Sequence, residues 1–295
     1  MKILGTGLTG LIGSRIVEVL KEKYEFENLS RTSGIDIADK DQILEKIKAS
    51  DAQIILHLAG KTDVDSCELD KSLLQNGEAW KINVEGTRNI SNACLQTNKK
   101  LIYMSTDFIF DGINPSAGGY TEEDIPNPIN WYAQTKYEGE KIVLGLNSPR
   151  IIIRTAYPYR ANFVKLDFFR AILGKLQDGK FVLAITDQTF TPTFIDDIAF
   201  ALDVLIGNNS QGIFHVAGSQ SLTPYAAALL IAETFNFDKD LISKTTGKEF
   251  FKDRAQRPFQ LTLRNDKILK LGVRMRTFKE GLEEVLRQTQ DNKKI

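Results

Sequence analysis

The chain has 295 residues, 42% of them hydrophobic, which is enough to bury a full core and to carry one large domain with a smaller one appended. Lys plus Arg and Asp plus Glu both number 38, so no net field draws the molecule to nucleic acid or to an anionic membrane. No apolar run approaches the roughly 18 residues of a membrane span, and Met1 leads straight into Lys2-Ile3-Leu4 without room for a signal peptide, so the expected compartment is the cytosol. Cys67 and Cys94 lack metal-ligand spacing and read as reduced, structural thiols.

Short apolar runs at 2–5, 53–57, 101–105 and 151–154 alternate with amphipathic segments at 12–23, 79–96 and 131–144. That alternation predicts right-handed βα units and an α/β, Rossmann-like doubly wound parallel sheet. After Arg154 the regularity loosens, although 193–205 predicts a helix and 212–216 a strand returning to the sheet. The expected division is a dinucleotide-binding domain from 1–155 plus about 190–220, a smaller discontinuous substrate lobe from about 156–189 plus 221–287, and a frayed polar tail at 288–295.

Gly7, Gly10 and Gly13 form G-x-x-G-x-x-G between the first strand and the first helix. Residues without side chains there allow a tight turn and close backbone approach, and the helix N-terminus favours a pyrophosphate. Thr9, Leu11 and Ile12 share this turn as cofactor-binding positions. The second strand should end about 20 residues further on, where the chain has Ser30 and Arg31 rather than an acidic residue. Arg pairs with a 2′-phosphate, which favours NADPH and leaves NADH as the second candidate. Asp36 and Ile37 are expected beside the adenine.

Tyr132 and Lys136 stand four apart in a helical segment entered through Pro126, Pro128 and Asn130, so they share a face. An ammonium there is expected to favour the Tyr132 phenolate and bring its proton within reach at neutral pH. Tyr132 then donates that proton to a carbonyl oxygen, Lys136 holds the nicotinamide ribose, and the Thr106 hydroxyl orients the carbonyl. Tyr137 and Lys141 repeat the spacing five residues later, but five residues turn a helix by roughly 140° and advance it about 7.5 Å. Only one pair can face the ligand, and the earlier one lies nearer the carboxyl ends of the strands, where ligands of open α/β sheets bind. His57 and His215, the only two histidines, fall in apolar runs and read as structural. No G-x-S-x-G elbow or metal-spaced His/Cys cluster occurs, so hydrolase and metalloenzyme readings lack support and no metal is expected.

With these residues in view, the chain resembles the extended short-chain dehydrogenase/reductase superfamily, and within it the dTDP-4-dehydrorhamnose reductase family. The likeness runs through the glycine turn, His57-Leu58-Ala59-Gly60, Asn83-Val84-Glu85-Gly86-Thr87, Ser105-Thr106-Asp107-Phe108, the Tyr132/Lys136 pair, Arg154-Thr155, Asp187-Gln188, Pro192-Thr193, Asp196-Asp197, His215-Val216-Ala217-Gly218 and Arg257-Pro258. It implies hydride transfer from a reduced nicotinamide to the C4 carbonyl of a 6-deoxy-4-keto nucleotide sugar, with Thr106, Tyr132 and Lys136 as the catalytic trio and Leu58, Ala59 and Gly60 at the cofactor. Phe108 stands where similar 4,6-dehydratases carry a Glu, which argues against elimination, and Asp107 argues against the epimerases.

Tyr157 replaces a tryptophan that the family places against the sugar, which leaves open whether the preferred sugar is the rhamnose precursor or a related one. Asp107, Tyr157, Asn162, Gln188 and Arg257 are the candidate substrate contacts beside Thr106, with Arg257 suited to a phosphate. Asn83 either supports the active site or packs its helix. Two alternatives stay open: a reductase or epimerase of another nucleotide sugar, and a non-catalytic NADP-binding regulatory subunit similar to that of methionine adenosyltransferase. A homodimer also stays open.

Overall fold

The computed structural model describes residues 1–113 and 115–291. Two βα units open the chain: β1 (Lys2–Thr6) leads to α1 (Leu11–Leu20), and β2 (Glu25–Leu29) to α2 (Lys40–Ala49). β3 (Ile54–His57) is followed by α3 (Val64–Leu69), α4 (Glu78–Trp80) and α5 (Thr87–Thr97), the last two joined through a π-helical segment at Lys81–Gly86. Next come β4 (Lys100–Thr106), α6 (Trp131–Leu144) and β5 (Arg150–Thr155). The remainder runs through β6 (Pro158–Tyr159), α7 (Phe168–Gln177), β7 (Val182–Ile185), β8 (Thr193–Phe194), α8 (Ile195–Gly207) and β9 (Gly212–His215). It ends with α9 (Pro224–Thr234), β10 (Ile242–Thr245), α10 (Gly247–Phe250), α11 (Asp266–Leu269) and α12 (Phe278–Asp291).

The central sheet has six strands in the order β2-β1-β3-β4-β5-β9, and every pairing in it is parallel. Strand alternation divides its side chains between two cores. Ile3, Ile54, Leu56, Ile102, Met104, Ile151 and Ile153 meet α1 and α8 on one face. Leu4, Ile55, Leu101, Tyr103 and Ile152 meet α2, α5 and α6 on the other. Covering on both faces explains why β3, β4 and β5 read as continuous apolar runs. Two short parallel pairs, β6 with β8 and β7 with β10, lie outside this sheet. A third core of Tyr159, Phe169, Phe190, Phe194, Ile231 and Phe278 joins α7, α9 and α12 beside them. Among the described residues no helix is long and apolar enough to cross a membrane.

Three local expectations are corrected. The single helix expected at 79–96 is broken by the π-helical segment. The helix expected at 193–205 begins only at Ile195, after the two-residue strand β8. The expected frayed tail is helical as far as Asp291, because Gln288 donates to Asp196 at 2.9 Å and Arg287 pairs with Asp291 at 3.0 Å. Residues 292–295 of that tail lie outside the described residues.

Candidate active site

One cleft of about 660 Å³ opens along the carboxyl ends of β1, β3, β4 and β5. Its near wall is the glycine turn. Gly7 holds φ +71°, and a Cβ there would stand 2.7 Å from the Ala59 nitrogen. A Cβ on Gly13 would collide with the Gly7 carbonyl oxygen, so the turn and α1 pack closely only without side chains. No side chain caps α1 and its first turn carries no acidic residue. The N-terminus of α1 therefore presents unpaired N–H groups, and Gly10, Leu11, Ile12 and Gly13 line the cleft there. These residues fit the pyrophosphate of a dinucleotide, a group satisfied by backbone donors and the helix dipole. Leu58, Ala59 and Gly60 continue that wall, held by hydrogen bonds from Leu58 N to Thr6 O at 3.1 Å and from Ala59 N to Thr6 Oγ1 at 3.3 Å.

Thr106 is the last residue of β4, and Asn130 caps α6 by accepting from Ala133 N, which starts the helix at Trp131. Tyr132 and Lys136 thus sit in the first turns of α6, and both line the cleft with Thr106. Burial pushes the Tyr132 phenol above its usual value, and a hydrogen bond with the Thr106 hydroxyl opposes the rise. Burial also draws the Lys136 ammonium down to about 7, opposed by the charge of Glu140. Lys136 Nζ donates to Met104 O at 2.8 Å and lies 4.2 Å from the centre of the Tyr103 ring. The expected ammonium-stabilised phenolate is thereby corrected: desolvation disfavours both charged forms, and Tyr132 keeps its proton. A reduction needs that proton donor.

Tyr137 is only partly buried, and Lys141 pairs with Glu138 at 2.8 Å. Neither lines the cleft. Both histidines are buried and held neutral, their pKa values drawn to about 3 by burial. His57 bridges Thr6 and Thr87, while His215 reaches Arg264 O and Arg154.

Asp107 and Tyr157 line the cleft beside the trio. Tyr157 holds φ +40°, a conformation that L side chains rarely adopt, and its ring packs on Phe190 at 4.6 Å. Arg257 also lines the cleft, but it is committed to an ion pair with Asp65 at 2.6 Å that ties the chain before α11 to α3. Asn162 is exposed and does not line the cleft. Gln188 is buried against Gly247 rather than in the cleft. Thr9 is exposed on the turn, outside the cleft lining. Ser30 caps the short turn Arg31–Ser33, and the exposed Arg31 faces Glu78 at 3.6 Å. Asp36 is exposed, with Oδ1 accepting from Ala38 N, while Ile37 is buried against Gly86. None of these four lines the cleft.

Other residues reach the cleft from distant segments. Phe163, Lys165 and Leu166 belong to the loop between β6 and α7, where the Arg170 guanidinium holds the carbonyls of Phe163 and Lys165. Phe251 arrives from the chain after α10. Asn83, in the π-helical segment, donates to Lys61 O at 3.0 Å and to Thr135 Oγ1 at 2.9 Å, and accepts from Lys61 N at 2.8 Å. Thr135 lies between Tyr132 and Lys136, so Asn83 fixes the catalytic turn of α6 against the loop after β3.

Comparison with known proteins gives the family of the chain. The model of the family described as RmlD substrate binding domain matches residues 1–291. The dTDP-4-dehydrorhamnose reductase of Aggregatibacter actinomycetemcomitans is 30% identical over 78% of this chain and 78% of its own. The methionine adenosyltransferase 2 subunit beta of Mus musculus is 28% identical over 97% of this chain and 87% of its own. The crystal structure of dTDP-4-dehydrorhamnose reductase from Bacillus anthracis in complex with NADP superposes with a TM-score of 0.88 at 28% identity, covering 97% of this chain and 99% of that one. By its sequence over nearly its whole length, and by a fold that follows, this chain belongs to the RmlD substrate binding domain family.

Proposed function

We propose that the protein is an NADPH-dependent oxidoreductase that reduces the C4 ketone of a 6-deoxy-4-keto nucleotide sugar, as its dTDP-4-dehydrorhamnose reductase relatives are named for doing. The observation that carries this reading is the meeting of the glycine turn with Thr106, Tyr132 and Lys136 in one cleft. When bound, the reduced nicotinamide supplies the hydride. Tyr132 is the general acid: its retained phenolic proton goes to the ketone oxygen as the alcohol forms. Thr106, which lines the cleft with Tyr132, orients that oxygen. Lys136 lines the cleft from α6, anchored on Met104 O, and holds the ribose. Arg31, exposed beyond the end of β2, is free to turn from Glu78 toward a 2′-phosphate.

The test is the decay of NADPH absorbance on mixing the purified protein with dTDP-6-deoxy-L-lyxo-4-hexulose, with NADH and substrate-free controls. Rapid oxidation dependent on the sugar supports the reductase. A second reading, a regulatory subunit, is favoured by the likeness to methionine adenosyltransferase 2 subunit beta. It predicts NADPH binding without consumption, together with capture of a synthetase partner. The reductase reading also leaves room for a homodimer, which a sedimentation measurement decides.

A further inference from the structure

The cleft is lined by three cations, Lys136, Lys165 and Arg257. Two of them are committed: Lys136 to Met104 O at 2.8 Å, and Arg257 to the carboxylate of Asp65 at 2.6 Å. The exposed Lys165 ammonium has no ion pair or hydrogen bond among the described residues, so its charge is left for a ligand. Lys165 belongs to the loop between β6 and α7, where Val164 is 97% and Leu166 64% exposed, so apolar burial does not hold the loop in place. Two buried guanidinium groups do. Arg170 holds the carbonyls of Phe163 and Lys165 and pairs with Asp167 at 2.9 Å. The backbone N of Arg160 donates to the same carboxylate at 3.3 Å. The Arg160 side chain reaches across to α1, with Nη1 donating to Ser14 Oγ at 2.9 Å and Nη2 to the two Glu18 oxygens at 2.8 and 2.7 Å. Ser14 directly follows Gly13 of the glycine turn. A chain of polar contacts thus runs from the helix that seats the cofactor to the backbone of Lys165.

We propose that Lys165 binds the diphosphate of the sugar nucleotide, and that Arg160, latched onto α1, is the positioning residue that presents it. The assignment rests on the reductase reading, which requires the cleft to seat two anions. Backbone donors of α1 serve the pyrophosphate of the cofactor. The diphosphate of the second ligand needs a cation of its own, and Lys165 is the uncommitted one. A lysine on an unrestrained loop would lose backbone as well as side-chain entropy on meeting phosphate. With the loop strung between Arg160 and Arg170, only the side chain remains to be ordered. The residue types suit the two tasks. A planar guanidinium reaches a hydroxyl and a carboxylate at once, while a compact ammonium supplies charge without demanding a fixed plane. Arg160 thereby holds the two anion seats in a fixed relation, one on α1 and the other on the loop.

The experiment is a calorimetric titration of dTDP and of thymidine into the protein saturated with NADP+, for the wild type, Lys165→Gln, Arg160→Gln and the double variant. Lys165→Gln should weaken dTDP about tenfold, the effect of one charge-assisted contact, and leave thymidine unchanged within about twofold. Lys165→Arg should recover most of the loss. Arg160→Gln should weaken dTDP in the same way, and the double variant should bind it no more weakly than Lys165→Gln alone, because the latch acts through the lysine. NADPH fluorescence titration checks that each variant is folded, and Glu18→Ala, which opens the latch at a half-exposed position, replaces Arg160→Gln if that form does not bind. Unchanged dTDP affinity in Lys165→Gln overturns the proposal, as does an equal weakening of NADPH, which would give the lysine to the cofactor. Additive losses in the double variant would strike Arg160 from it. Absence of dTDP binding by the wild type overturns the nucleotide-sugar reading instead, and the diphosphate seat with it.

Discussion

Lys136 Nζ donates to the main-chain carbonyl of Met104 at 2.8 Å, tying the catalytic helix α6 to the carboxyl end of β4. That bond is made from a buried site, and burial draws the Lys136 pKa from its usual 10.5 to about 7. Between about pH 7 and 10.5 the unfolded chain therefore holds a proton at Lys136 that the folded chain does not. Stability must rise with pH across this window, by at most ~1.4 kcal/mol per pH unit, as the penalty for burying the ammonium is lifted. Urea denaturation of the wild type and Lys136→Met at pH 7, 8 and 9 should show the wild type gaining on the variant as pH rises. A constant difference would place the Lys136 pKa at its ordinary value.

Asn83 makes three hydrogen bonds from a position 1% exposed, two to Lys61 and one to Thr135. Asn83→Ala should cost about 3 kcal/mol in chemical denaturation, since buried donors and acceptors are left unmet. It should also lower kcat more than it raises KM, because Thr135 lies within the turn that carries Tyr132 and Lys136. A stability loss with unchanged kcat would reduce Asn83 to a packing residue.

Arg154 and Glu140 form an ion pair at 2.8 Å with side chains 2% and 0% exposed. Glu140→Ala leaves the guanidinium buried without its carboxylate, and a loss of about 3–5 kcal/mol is expected. Adding Arg154→Met should recover much of it, because the uncompensated charge is then gone. Additive losses in the double variant would contradict this account of the pair.

Arg31 is exposed and its contact with Glu78 at 3.6 Å is loose, so removing it should leave the fold intact. Arg31→Ala should weaken NADPH binding about tenfold and leave NADH binding nearly unchanged, as expected for one charge-assisted phosphate contact. Fluorescence titration with both cofactors reads the difference. Equal weakening of both would remove Arg31 from recognition of the 2′-phosphate.

Much of this fold is legible in the sequence because both faces of the sheet are covered. Ile54-Ile55-Leu56 and Leu101-Ile102-Tyr103-Met104 have to be apolar throughout, and the runs stand out. β2, Glu-Phe-Glu-Asn-Leu, lies at the sheet edge with its glutamates exposed, and carries no such run. The π-helical break at Lys81–Gly86 is hidden because apolar residues continue at helical spacing across it. Local motifs led to the glycine turn and to Tyr132 and Lys136, since each lies within one stretch of chain. Gln188 and Asn162, named as candidate substrate contacts, are turned away from the cleft by the tertiary fold, and no local motif marks Phe163, Lys165, Leu166 or Phe251, which long-range packing brings in. The direction of the Tyr132 and Lys136 shifts was equally hidden, because it depends on burial that only the folded chain provides.

The most direct test of the account compares NADPH oxidation by Tyr132→Phe and Tyr137→Phe on dTDP-6-deoxy-L-lyxo-4-hexulose, with NADPH binding measured alongside. Tyr132→Phe should lose about 10²–10⁴-fold in kcat while binding NADPH nearly as the wild type does, because only a proton donor is removed. Tyr137→Phe should retain most of its activity. Full turnover by Tyr132→Phe, or loss of turnover confined to Tyr137→Phe, would contradict the placement of the reaction centre at Thr106, Tyr132 and Lys136.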